Sequence, residues 1–539
     1  MAEPTLLAID CGTQSVRALL FDLTGRLQAR AQVPITSYRS EQPGWLENDP
    51  QAFWASLCAA CQGLWEQPGV ERNAIAGLVL TTQRGTTLAL DEARRPLRPA
   101  IVWPDQRRAA RARPLAWWWE LALRGIGMRE TVRYFQHEAE ASWIAEQQPE
   151  LWARTRHFLL LSGYLNLRLT GRLADSVGSQ VGYLPLDYRR GRWAGAADWK
   201  WQALPIRRDM LPELVAPGQP LGAITAEAAR DTGLPLGLPV LAGAADKACE
   251  ALGAGCVSPR LACLSMGTAA TVSLTTPRYV EPVAFVPPYP AALPGHYSAE
   301  IQISRGFWMV SWFKEQFGQA EQEEARALGL APEALFDRLV AAVPPGAQGL
   351  LLQPFWGPGI KRPGPQAKGA VIGFGEVHTR AHLYRAIIEG LAYGLREGAE
   401  RLERRVGGRI EALRVAGGGS QSDAAMQITA DVFNRPAERP HLADASGLGA
   451  AIIGAVGLGL QPDFDTAVAR MTRPGQRFEP RSGPVATYEQ LYQRVYRRLY
   501  QRLEPLYQDI ADITGYRPAP GAPLPVAAAD GQPPSPPTA

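Results

Sequence analysis

Apolar and polar positions at the start of the chain alternate between short strand-like runs and turn-forming residues. Residues 6–9 are apolar, Asp10, Cys11, Gly12, Thr13, Gln14 and Ser15 are turn-forming, residues 16–21 are apolar again, and Leu23-Thr24-Gly25 precedes a third run from Leu27. This spacing predicts a β-meander whose first corner is a Gly-Thr turn. The pattern returns where Leu261-Ala262-Cys263-Leu264 leads through Ser265-Met266-Gly267-Thr268 into apolar residues 269–274. The same strand, Gly-Thr turn and strand near the start of each half point to a duplication, and so to an α/β fold of two homologous domains facing one another across a cleft. Between the meanders the pattern predicts helices over 51–67 and 139–154, a strand over 75–81, and a strand over 239–245 running into Asp246-Lys247. The expected boundary lies near residue 254, giving an N-terminal domain of residues 1–253 and a C-terminal domain of 254–515. In the second half Leu383, Ile387, Leu391, Leu395 and Leu402 recur at helical spacing over 380–405, and Gly407-Gly408 follows as a C-cap signal. A strand over 410–415, a glycine-rich turn and a helix over 424–433 come next. Residues 516–539 hold eight prolines and few large apolar side chains, and are expected to form a disordered tail.

Composition narrows the class of partner. Of 539 residues, 46% are hydrophobic and 20% charged, which suits a chain that buries a normal core. The formal charge of +4 comes without a basic block, which argues against a nucleic-acid surface or an anionic-membrane anchor and favours a small molecule. No apolar run is long enough to span a bilayer; the nearest, 447–460, is rich in Gly and Ala and reads as a packed helix. The N-terminus lacks a basic region before its short apolar run, so the cytoplasm is the expected location. Six scattered cysteines (11, 58, 61, 249, 256 and 263) are expected as free thiols, since the C-x-x-C of Cys58 and Cys61 falls in a helical stretch with no second pair. Lys is rare, at positions 200, 247, 314, 361 and 368 only, which singles each one out.

The candidate chemistry sits at turns. Gly417-Gly418-Gly419 closes a strand and opens a helix, leaving N–H groups free to approach an anion. Alone it reads equally well as a tight turn; with the two Gly-Thr corners it suggests a polyphosphate site. Asp10 ends the first strand where the second half carries the neutral Ser265, so a carboxylate is needed in one half only, as one Mg2+ would require. Asp246, at the end of another strand-like run, is the candidate base for a hydroxyl nucleophile. Each of these aspartates also reads as a turn or N-cap residue. Trp103, the Trp117-Trp118-Trp119 run and Trp308 read as core aromatics on their own.

At this point the chain resembles the FGGY carbohydrate kinases, on the residues Asp10-Cys11-Gly12-Thr13-Gln14-Ser15-Val16-Arg17-Ala18, Gly44-Trp45-Leu46-Glu47-Asn48-Asp49-Pro50, Ile101-Val102-Trp103-Pro104-Asp105-Gln106-Arg107, Gly243-Ala244-Ala245-Asp246-Lys247 and the segment over 416–436. The matches come in the family's order over about residues 5–510. The resemblance implies two RNase H-like (actin-like ATPase) domains with ATP and a sugar or polyol between them. It implies Asp246 as catalytic base, Asp10 and Asp246 as the carboxylates at Mg2+, and Gly12, Thr13, Gln14 and Arg17 as a first phosphate loop. Gly267 and Thr268 would be the second loop, and Gly418, Gly419 and Ser422 the nucleotide-binding turn.

The acceptor site is implied at Gln83, Arg84, Trp103 and Asp246. Thr82-Gln83-Arg84-Gly85 stands where glycerol kinases read Asn-Gln-Arg-Glu and where xylulose kinases carry a Met-His pair. Gly85 lacks the carboxylate that would clasp adjacent hydroxyls, and the loss of that acceptor, about 1 to 3 kcal/mol per unpaired buried donor, argues against glycerol. The expected activity is transfer of the ATP γ-phosphoryl group to a sugar or polyol hydroxyl. The expected partners are ATP and that small molecule, with a homodimer as an open assembly and neither nucleic acid nor membrane. Two alternatives stay open: a conformational ATPase on the same fold, and a non-catalytic sugar-binding regulator.

Overall fold

The computed structural model describes residues 3–330, 332–357, 359, 363, 364 and 366–514; the tail expected at 516–539 lies outside the described residues. The opening meander forms as β1 (Thr5–Cys11), β2 (Ser15–Phe21) and β3 (Leu27–Pro34), each antiparallel to the next. Beside β1 lies the parallel strand β4 (Ile75–Thr82), and β5 (Pro220–Ala223) and β6 (Pro239–Leu241) complete a six-stranded sheet in the order β5-β6-β4-β1-β2-β3. The strands β1, β2 and β4 are almost wholly buried, which is why their sequences read as continuous apolar runs and not as an alternation. One face is covered by α1 (Pro50–Trp65). Asp49 caps that helix through the Gln51 N–H with Pro50 in its first turn, and the helix buries Phe53, Leu57, Cys61 and Leu64.

The second half repeats the plan. Strands β7 (Leu261–Met266), β8 (Ala270–Thr276), β9 (Tyr289–Pro290), β10 (Tyr297–Ile303), β11 (Ala412–Ala416), β12 (Ala437–Pro440) and β13 (Pro474–Phe478) form a sheet in the order β9-β10-β8-β7-β11-β12-β13. The antiparallel set β7, β8 and β10 stands as β1, β2 and β3 do, and β11 lies parallel to β7 as β4 does to β1. Both sheets are RNase H-like, and the duplication is legible strand by strand.

Four further helices position the site. The short α2 (Asp246–Gly253) begins at the aspartate singled out above. The helix expected over 380–405 is α3 (Arg380–Val406), which ends on Gly407 in the left-handed conformation and shares a core with β8 and β10. After the glycine-rich turn come α4 (Asp423–Phe433) and α5 (Ala445–Gly457). Although α5 belongs to the second half, it packs on the free face of the first sheet, where Leu448, Ile452 and Ile453 meet Leu6, Ala8, Leu19 and Val79. Each large side chain buried there contributes about 1.5 to 3 kcal/mol. Glycines bring α5 against α2: a Cβ on Gly253 would stand 1.9 Å from the Ala445 carbonyl oxygen, and one on Gly449 1.9 Å from that of Cys249.

The structure departs from the pattern in three places. The helix expected over 139–154 is two, Glu140–Gln147 and Pro149–Arg154, because Pro149 forces Gln148 out of the helical region. The strand expected over 239–245 ends at Leu241, leaving Ala245 a single bridge to Thr82. Trp117 and Trp118, read as core aromatics, are 73% and 54% exposed, since their helix, Trp117–Gly125, buries only Leu123. All six cysteines are free and buried. Among the described residues no helix is long and apolar enough to cross a membrane.

Candidate active site

Parallel pairing of β1 with β4 sets Asp10 beside Thr81 and brings Gln83 to the Gly-Thr corner. The Gly12 N–H donates to the Ser15 carbonyl (3.0 Å) to close that corner, and the Gln83 N–H donates to the Cys11 carbonyl (2.9 Å). The Thr13 hydroxyl donates to Gln83 Oε1 (3.0 Å) and accepts from Trp103 Nε1 (2.8 Å). Three residues chosen from the sequence, Thr13, Gln83 and Trp103, therefore form one hydrogen-bonded group. Gln83 is buried, and its Nε2 has no protein partner. Trp103 keeps 36% of its surface exposed, and Gln14 stands exposed at the corner.

Asp246 opens α2, and its Oδ1 accepts from the Lys247 backbone N–H (2.8 Å). Its carboxylate lies 4.0 Å from Arg84 Nε and keeps 27% of its surface open. Burial pushes its pKa up to about 6 against the pull of Lys247 and Arg84, and the charges of Asp10 and Glu250 add to the rise. Lys247 reaches across to the second half, donating to Ser265 Oγ (2.6 Å) and to Glu250 (3.1 Å). Burial alone would make Lys247 easier to deprotonate, but Glu250 and Asp246 hold it above its ordinary value.

Arg84 also reaches the second half. Its two terminal nitrogens bind both oxygens of Glu300 on β10, at 2.9 and 3.3 Å, and its guanidinium lies 5.1 Å from the Tyr289 ring centre. Arg84, Lys247, Tyr289 and Glu300 line a cavity of about 10 Å³. Asp10 is buried, and its Oδ2 accepts from Arg17 (3.2 Å) and from Ser446 of α5 (2.7 Å). Asp444 lies 3.7 Å from Arg17 and 3.0 Å from Arg30. Burial raises the pKa of Asp10, while Arg17 and Ser446 oppose that rise. Among the described residues no three His, Cys, Asp or Glu side chains form a metal cage. Mg2+ needs none, since it is held by one or two carboxylates with phosphate and water as its other ligands. The charge of Asp10 adds to the rise in the pKa of Asp246.

At the glycine-rich turn of the second half the glycines have separate duties. Gly417 takes φ +85, and a Cβ there would meet the Met266 backbone at 2.9 Å; one on Gly419 would strike the Phe307 ring at 2.4 Å. The turn is thus seated on the residues just before Gly267 and Thr268, whose carbonyls accept from the N–H groups of Phe307 (3.0 Å) and Trp308 (3.3 Å). A Cβ on Gly418 would meet nothing within 4 Å, so its backbone faces open space. Ser422 caps α4 through the Ala425 N–H (3.0 Å) and donates to Asp337.

Sequence reasoning missed Glu300, Tyr289, Asp337, Asp444 and Ser446. The one available signal for Glu300 was a carboxylate flanked by Ala299 and Ile301 inside an otherwise strand-like run. Lys247 stood in a quoted motif and in the short list of lysines, but carried no role.

The comparisons agree with this geometry. The model of the FGGY family of carbohydrate kinases, N-terminal domain, matches residues 5–253, and that of the C-terminal domain matches residues 262–458. A protein of Escherichia coli (strain K12), described as the uncharacterized sugar kinase YgcE, is 31% identical over 497 residues, covering 91% of this chain and 92% of that protein. The xylulose kinase of Lactococcus lactis subsp. lactis (strain IL1403) is 29% identical over 497 residues, covering 90% and 94%. The crystal structure of a xylulose kinase from Rhodospirillum rubrum superposes with a TM-score of 0.76 at 27% identity, covering 94% of this chain and all of that one. The chain belongs to the FGGY family of carbohydrate kinases. It is a phosphotransferase with an alcohol acceptor, on a fold of two actin-like ATPase domains that face each other across the catalytic cleft.

Proposed function

We propose that this kinase transfers the γ-phosphoryl group of ATP to a hydroxyl of a sugar or polyol, with Asp246 as the general base. The observation that carries the reading is Asp246 itself, a partly open carboxylate beside Arg84 whose pKa of about 6 lets it be ionised at neutral pH and still accept a proton as the hydroxyl attacks. Gln83, Arg84 and Trp103 orient the acceptor, Trp103 being fixed from behind by Thr13. The backbone at Gly418 and Gly419, with Gly267 and Thr268, cradles the nucleotide phosphates, and Gly12, Thr13, Gln14 and Arg17 form the corner opposite. Mg2+, when bound, offsets phosphate charge, with Asp10 and Asp246 as the carboxylates that would hold it. Closure of the halves excludes water, which would otherwise intercept the phosphoryl group.

The test is ADP release by the purified protein with MgATP across polyols, pentoses, ketoses, hexoses and sugar acids. The reading predicts acceptor-dependent ADP formation with a phosphorylated acceptor as product. ADP release at one rate with every acceptor and with none would contradict it.

A further inference from the structure

Within that kinase reading, on which this inference rests, the acceptor clasp has a gap at Gly85. The gap is built into the backbone. Gly85 takes φ +70, a left-handed conformation in which a glutamate would be strained, and so the carboxylate seen in glycerol kinases cannot simply be restored there. A carboxylate does reach the same group of residues from the opposite half. Glu300 on β10 has a side chain only 3% exposed and binds Arg84 through both oxygens, with Arg84 Nε in turn 4.0 Å from Asp246. The 10 Å³ cavity that Arg84 and Glu300 line with Lys247 and Tyr289 holds no more than a water-sized guest. An acceptor can enter only if the halves separate and the Arg84–Glu300 contact lengthens.

We propose that Glu300 is the hydroxyl acceptor of the substrate site, that a vicinal diol inserts between Glu300 and Arg84, and that the substrate is therefore a neutral polyol or sugar and not a sugar acid. Each hydroxyl of the diol donates to a Glu300 oxygen and accepts from an Arg84 nitrogen, so every charge-assisted bond broken on opening is replaced on closing. A substrate carboxylate would instead compete with Glu300 for Arg84 and leave one of two buried carboxylates without a partner. Nor does the cavity offer it a second cation. Lys247, the other positive side chain of the lining, is held by Glu250 and by Ser265. Because Glu300 belongs to the second half and Asp246 to the first, the clasp forms only when the cleft closes, which ties acceptor recognition to assembly of the base with the nucleotide site.

Full-length wild type, Glu300→Gln and Glu300→Asp are assayed with saturating MgATP on the polyol, the ketose and the aldonic acid of one chain length, and on the best acceptor from the wider screen. Wild type is expected to prefer a neutral acceptor. Glu300→Gln should raise the KM of that acceptor about 10- to 100-fold while the KM of ATP moves less than about threefold. Its ratio of kcat/KM for acid over neutral acceptor should rise about tenfold as Arg84 is released. Glu300→Asp should recover part of the lost affinity, and it carries the test alone if the Gln variant fails to fold. A wild type that prefers the aldonic acid overturns the inference. So does a folded Glu300 variant with wild-type acceptor KM and acid-to-neutral ratio, which would leave the ion pair as a latch between the halves. Wild type that turns over no acceptor at all overturns the kinase reading and this inference together, whereas turnover with indifferent variants overturns the inference alone.

Discussion

Asp246 is ionised at neutral pH in a place that disfavours its charge. Its folded pKa of about 6 lies above the ordinary 3.8, so between those two values the native state holds a proton that the unfolded chain has released. The stability this confers is complete below pH 3.8 and is lost as pH rises through 6. Asp246→Asn, melted without added magnesium, should therefore gain about 1 kcal/mol or more at pH 7.5 and nothing at pH 4; an equal shift at both values would show that burial is not what raises the group. For the same reason kcat/KM of the wild type should fall below pH 6 as the base takes up its proton. Asp175 carries a similar rise, to about 6, with burial the cause and four donors opposing it: Ser162, Asn166, Gln180 and the Ser176 N–H. Asp175→Ala strands those buried donors and should cost about 3 to 5 kcal/mol in urea unfolding; a loss under 1 kcal/mol would mean that the donors find other partners. Residues of this kind divide by legibility. Asp10 and Asp246 were found because each closes a strand-like run in the sequence, a local property, although in the structure Asp246 opens α2. Glu300 was not, because its significance lies in an ion pair with Arg84, 216 residues away in sequence.

At the scale of elements, glycine positions separate packing from binding. Gly449 and Gly253 let α5 and α2 approach until backbone meets backbone, so Gly449→Val must force the helices apart. A cost of about 3 kcal/mol and a Tm lower by several degrees are expected, since overpacking has no flexible side chain there to absorb it; an unchanged Tm would refute the close approach. Gly418→Ala should behave oppositely, with unchanged Tm and at least about tenfold weaker nucleotide binding, because its Cβ meets no protein atom and would project where phosphates approach. Calorimetric titration with ATP separates the two outcomes. The element pattern itself was largely legible. The meanders, α1, α3 and α4 announced themselves by period and by capping residues, with ends shifted by one or two positions. The pattern failed where a single residue overrides it, at Pro149, and where aromatic content stood in for burial, at Trp117 and Trp118.

In the whole molecule, several polar contacts between the halves gather at the site, namely Asp10 with Ser446, Arg17 and Arg30 with Asp444, Lys247 with Ser265, and Arg84 with Glu300, while others, such as Arg473 with the Thr24 carbonyl, lie apart from it. A duplicated sequence pattern could announce two domains and a cleft, but not these pairs, nor that α5 crosses onto the first sheet. Nucleotide that binds only the closed, folded protein should raise Tm, adding about 2.7 kcal/mol at a hundredfold excess over Kd; no shift at millimolar MgATP would remove the nucleotide site from the account. The central claim is that Asp246 takes the acceptor proton in addition to facing the metal, while Asp10 serves the metal alone. It is tested most directly by kcat for Asp246→Asn and Asp10→Asn on the best acceptor, across a Mg2+ titration and alongside nucleotide affinity. Asp246→Asn should lose about 100- to 10,000-fold in kcat at every Mg2+ concentration with nucleotide affinity nearly unchanged, and Asp10→Asn should instead shift the Mg2+ requirement upward. Near wild-type turnover by Asp246→Asn would contradict the account and return that aspartate to a structural role at the start of α2.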